Sequence, residues 1–136
     1  MSYTNTVTVT ASYDGAVART RASLAEQGFG ILTEIDVRDT FAKKLGADSA
    51  DAVGDYVILG ACNPRLAERA LAADPSMGAL LPCNVIVRRS GNAEVTTVQA
   101  IDPQTMVQLS DVPEISAVAA EVSELLNAVL ASVQNS

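Results

Sequence analysis

The sequence predicts an α+β domain built on about five strands. Three observations predict it. Five short runs, at 4–10, 30–36, 56–61, 80–87 and 95–101, are alternating or continuously apolar. Turn and cap residues separate them. From Pro113 onward, a roughly 20-residue stretch repeats its apolar residues at helical spacing.

Thr4 to Thr10 alternates threonine with Val7 and Val9, the pattern of a half-buried strand with a polar outer face. Ser12 or Asp14 caps a helix running to about Gln27. Val17, Ala18, Leu24 and Ala25 make its inner stripe, and Arg19, Arg21 and Glu26 face water. Gly28 suits the left-handed conformation just past a helix end. Gly30 to Asp36 is the second strand. A strict period of two puts Ile31, Thr33 and Ile35 on one face, and Leu32, Glu34 and Asp36 on the other. Asp36 then caps a short helix with Val37, Phe41 and Leu45 at four-residue steps, closed by Gly46. Ala47 to Gly54 reads as a small acidic loop.

Tyr56 to Ala61 is continuously apolar and reads as a central strand buried on both faces. Asn63 caps the next helix, with Pro64 in its first turn, where a missing N–H costs nothing. Leu66, Ala67, Ala70 and Leu71 form its buried stripe, and Asp74-Pro75 ends it. Leu80 to Val87 is another apolar strand. Arg88 to Asn92 is a turn, and Val95 to Ile101 is the hairpin partner. Asp102-Pro103 opens a further turn of helix. In the last helix Ile115, Val118, Val122, Leu125, Leu126, Val129 and Val133 share one face. Glu114, Glu121 and Glu124 crowd its first half, where the helix dipole favours acid. No repeat or linker divides the 136 residues, so one domain over 1–136 is expected.

Charge and composition narrow the function classes. The net charge is −7, and an acidic surface repels phosphate backbones, so no nucleic-acid partner is expected. Histidine is absent, which removes Ser-His-Asp and Cys-His triads and imidazole metal ligands within one chain. No Gly-rich phosphate loop is present. No secretory signal and no uninterrupted apolar run of membrane-spanning length is visible. A cytoplasmic, thiol-reduced protein away from membranes is the expectation.

The residues able to carry chemistry are few. Cys62 closes an apolar run just before the Asn63 cap, and a helix N-terminus favours a thiolate there. Cys83 follows Pro82, whose ring cannot join a ladder and so marks an edge or a bulge. For both thiols the plainer reading is core packing. The two sulfurs meet only if their strands run antiparallel. Glu34 and Asp36 form a carboxylate pair able to bind a cation or polarise water, against plainer roles as ion-pair partner and cap. Asn63 and Asn84, each next to a cysteine, complete the candidate ligand-binding set. Both also have ordinary turn or capping explanations.

The blocks Gly28-Phe29, Glu34-Ile35-Asp36, Ile58 to Pro64, Ala70-Leu71, Leu81 to Val85 and Asp102-Pro103 together resemble the domain-of-unknown-function family 302, DUF302. The resemblance covers most of the chain. It implies a mostly antiparallel sheet with helices packed on one face, and a homodimer. It supplies no reaction and no cofactor. Glu68 departs from it, standing where many members carry an aromatic residue or histidine.

Three classes of function remain. The first is a homodimeric module binding a small ligand near the two Cys-Asn segments. The second is thiol or persulfide redox chemistry, or soft-metal capture by Cys62 and Cys83, with copper(I) better suited than four-coordinate zinc. The third is a structural dimer without chemistry. The chain is 49% hydrophobic and 18% charged, and Ala117, Ala120, Ala128 and Ala131 flank the last helix. Apolar surface left uncovered in this way favours self-association.

Overall fold

The computed structural model describes residues 2–135. Five strands form one sheet in the order β1-β5-β4-β3-β2. They are β1 (Thr4–Val9), β2 (Gly30–Asp36), β3 (Asp55–Cys62), β4 (Cys83–Arg89) and β5 (Thr96–Ile101). Every pairing is antiparallel. The expected β4–β5 hairpin is present. β1 and β2, consecutive in sequence, form the two opposite edges.

α1 (Tyr13–Glu26) joins those edges and crosses one face of the sheet. That face carries Val57, Leu59 and Ala61 of β3, and Cys83, Val85 and Val87 of β4, all buried. α6 (Pro113–Gln134) lies beside α1 against β1 and β5, while α4 (Pro64–Ala73) and α5 (Gln104–Leu109) pack on α6. No side-chain cap holds the start of α6 at Val112. Packing holds it instead. Ile115, Val118, Val122, Leu126, Val129 and Val133 are buried, each worth about 1.5–3 kcal/mol. Leu125, placed on the same stripe by periodicity, is only half-buried. By length and composition alone α6 is apolar enough to cross a membrane, although acidic residues interrupt its apolar run. Its buried stripe is committed to the core.

Several expected boundaries change. Residues 47–53 form a helix, α3 (Ala47–Val53), rather than a loop. It packs on α2 (Val37–Lys44) through the buried Ala50. Arg38 ties the pair to the sheet, donating to Asp51 and Asp55 at 3.0 Å each. Gly54 ends α3 at φ 73°, and a Cβ there would stand 2.9 Å from the Arg89 carbonyl oxygen. Leu80 belongs to a 3-10 turn, Pro75–Leu80, and β4 begins only at Cys83. Arg88 and Arg89, expected in the turn, extend that strand. β3 is interior but not central; β4 holds the middle.

The period of two also breaks in β2. A bulge at Leu32 shifts the register between Ile31 and Thr33. Glu34 and Asp36 therefore pair with Leu59 and Val57 on the helix-covered face, while Ile35 pairs with Ile58 on the outer one. Leu32 does not share their face and is 66% exposed. Pro82 marks neither the expected edge nor the expected bulge, because β4 is the middle strand and its pairing is regular. Proline instead precedes the first ladder residue, Cys83, where its missing N–H costs no ladder bond.

Candidate functional site

Cys62 ends β3, and Ala61 pairs with Cys83, the first residue of β4. The antiparallel arrangement thus brings both cysteines to one end of the sheet. Both are free thiols. Asn63 leaves β3 in extended conformation and its side chain accepts from the Leu66 N–H at 3.3 Å, starting α4 directly after Cys62. Gly28, at φ 84°, reverses the chain after α1. The next N–H, that of Phe29, then donates to the Leu24 carbonyl at 2.9 Å, and the ring is buried under the sheet end.

These elements surround a half-open cavity of about 30 Å³. Cys62, Asn63, Pro82 and Cys83 form its strand-end wall. Phe29, Leu66 and Ala70 form a second wall, and Met106, Val118 and Val122 a third. Its surface is almost wholly apolar apart from Asn63 and the sulfur atoms. Behind that wall, on the outer sheet face, Gly60 leaves room for Thr33 and Pro82. A Cβ there would lie 2.1 Å from Thr33 Oγ1 and 2.9 Å from Pro82 Cγ. Cys83 is 5% exposed. Burial pushes its thiol up to about 11, and the neighbouring Cys62 adds to the rise. Cys83 is held as a neutral thiol, while Cys62 is half-buried at the cavity wall.

The other expected site residues lie elsewhere. Asn84 is exposed on the outer sheet face, paired with Gly60. Glu34 pairs with Arg21 of α1, and the Asp36 carboxylate accepts from the Asp39 N–H at 2.9 Å as the α2 cap. Asp36 stands opposite Val57, five residues from Cys62 along β3, or roughly 17 Å at strand rise. The carboxylate pair and the thiols therefore do not form one site. Glu68 is exposed on α4 and does not line the cavity. The sequence marks neither Phe29 nor Met106 as a site residue; Phe29 figures only in the Gly28-Phe29 block. They reach the cavity from the end of α1 and from α5, far from both cysteines in the chain. No local pattern marks them.

The carboxylates gather at the opposite end of the sheet. There Tyr13 and Asp14 of α1 meet Asp55 and Arg89 around a polar crevice. Burial pushes the Tyr13 hydroxyl up to about 12, and the charges of Asp36 and Asp55 add to the rise.

Residues 5–133 match the family described as "Domain of unknown function DUF302". The crystal structure of an uncharacterized conserved protein DUF302 from Bacillus stearothermophilus is similar, with a TM-score of 0.85 and 26% sequence identity. The match covers 98% of this chain and 99% of that one. No curated protein matches the chain.

Proposed function

Because the chain belongs to the DUF302 family, which carries no assigned function, we propose a role from the site itself: it is a homodimeric module that binds a compact ligand between the two cysteine segments. One observation carries the reading. The cavity at the end of β3 and β4 is half-open, apolar and lined by both cysteine segments. Its size restricts the guest. Pockets for drug-sized ligands hold about 300–1,000 Å³, whereas this one offers about 30 Å³. A guest of a few heavy atoms fits, and a nucleotide or sugar does not. A cytoplasmic, reducing compartment suits two free thiols, and the acidic charge disfavours nucleic acid.

An NMR titration with xenon tests the pocket, because xenon reports dry apolar cavities without chemistry of its own. Saturable amide shifts centred on Phe29, Ala61 and Cys83 are expected. They should vanish in Ala67→Phe, which places a ring in the cavity wall. Shifts spread evenly over the surface would contradict the reading.

The sheet's outer face supports the dimer. Ile35, Ile58 and Ile86 stand in one row across β2, β3 and β4, and Ile35 is 48% exposed. Gln99 and Thr6 continue the row as a polar rim, joined by a 3.1 Å hydrogen bond. A second copy turned by a twofold axis meets the same stripe with itself. Sedimentation at micromolar concentration should give twice the chain's 14.1 kDa. Ile86→Lys should return the monomer. A wild-type mass of 14.1 kDa at every concentration would contradict pairing.

A further inference from the structure

We infer that the polar crevice at the other end of the sheet is a second binding site, and that it takes a small zwitterion. Such a ligand carries an ammonium and a carboxylate a few bonds apart, as a free amino acid does. The site is independent of the cavity beside the cysteines.

The register brings the charged groups together. Asp55, the first residue of β3, stands directly opposite Arg89, the last of β4. Both lie on the helix-covered face, two residues beyond the buried pair Val57 and Val87. Tyr13 and Asp14 form the first turn of α1, and with Asp55 and Arg89 they line an open crevice of about 580 Å³. The Arg89 guanidinium is fixed in this crevice. Its Nη1 donates to the Ala11 carbonyl at 3.2 Å and to Thr96 Oγ1 at 3.1 Å. Thr96 is fully buried and donates to the same carbonyl at 2.9 Å.

The protein leaves both signs of charge unmatched there. Among the described residues no carboxylate oxygen lies within 4.0 Å of the Arg89 nitrogens. Asp55, its cross-strand neighbour, gives its Oδ1 to Arg38 instead. Arg89 Nε and Nη2 thus have no protein acceptor, and the Tyr13 hydroxyl, the Asp14 carboxylate and Asp55 Oδ2 have no protein donor. A planar guanidinium edge suits a carboxylate, and an ammonium offers three donors to these oxygens. A zwitterion satisfies both sets and closes the gap between Arg89 and Asp55. A plain anion meets the repulsion of Asp14 and Asp55, and a plain amine leaves Arg89 unmatched. The volume falls within the range of about 300–1,000 Å³ for small-molecule pockets, so a side chain on the zwitterion has room.

The test is an NMR titration of the full chain near neutral pH with L-alanine, propionate and ethylamine in turn. L-alanine should give saturable shifts at the amides of Tyr13, Asp14 and Arg89. Propionate and ethylamine each lack one charged end and should bind at least tenfold more weakly, since a hydrogen bond to a charged group is worth about that much. Asp14→Asn, at an exposed position, should weaken L-alanine about tenfold without weakening propionate. Arg89→Lys keeps the charge but loses the planar edge, and should weaken L-alanine about tenfold. Equal affinity for L-alanine and propionate would overturn the zwitterion in favour of a plain anion. Equal L-alanine affinity of the wild type and Asp14→Asn would also overturn the inference, as would no saturable shift with any of the three probes. Shifts confined to Phe29, Ala61 and Cys83 would place the ligand in the other cavity and overturn the crevice as its site.

Discussion

Phe29→Ala is expected to destabilise the fold by about 3–5 kcal/mol and, at the same time, to let benzene bind. Phe29 is 5% exposed and fills the space between the end of α1, the strand ends and α4. Removing the ring forfeits its transfer energy. It also leaves a void, because the walls are held by Ala61 in the sheet and Val118 in α6. That void joins the existing cavity beside Cys62. Denaturant unfolding reads the loss of stability, and calorimetry with benzene reads the gain of binding. A variant that is destabilised but takes no benzene would mean that the walls collapse, and that the cavity is not a preformed site. A variant of unchanged stability would mean that the ring is not part of the core.

Cys83 makes the second large effect, on the alkaline side. Its folded thiol titrates at about 11, above the ordinary 9.0. The folded state therefore holds this proton more tightly than the unfolded chain. The associated stability is complete below pH 9 and is lost as pH rises towards 11. Two units correspond to about 2–3 kcal/mol. The wild type should lose that amount relative to Cys83→Ala between these limits. The comparison cancels Tyr13, whose hydroxyl is also raised, because both proteins carry it. Alkylation at pH 8 gives the kinetic counterpart, with Cys62 labelled about a hundredfold faster than Cys83. Parallel stability curves for the two proteins, together with equal labelling rates, would place Cys83 at the surface.

The strand number, the β4–β5 hairpin and the inner face of α6 are legible in the sequence, because half-buried strands and a long amphipathic helix impose their own periods. α3 is not. Ala-Asp-Ser-Ala-Asp-Ala carries no apolar stripe, and the helix is held by one buried alanine and by Arg38 pairing with Asp51 and Asp55. The start of β4 is misread because Leu80-Leu81 extends an apolar run, and such a run suits a buried turn as well as a strand. The bulge at Leu32 is invisible to any count of alternation, yet it decides which way Glu34 and Asp36 face. At the site, local spacing marks both cysteines and the Asn63 cap. Whether the thiols meet depends on strand direction, a property of the whole sheet. Phe29 and Met106 arrive from elements distant in sequence, and packing alone unites them with Cys62 and Cys83.

The proposed function requires the cavity between the two cysteine segments to hold a guest. A crystal structure of the protein determined under xenon pressure tests this in one measurement. It should show one xenon atom per chain, bounded by Phe29, Cys62, Cys83 and Met106, with the surrounding backbone unmoved. An empty cavity, with xenon found only on the outer sheet face beside Ile35 and Ile86, would contradict it.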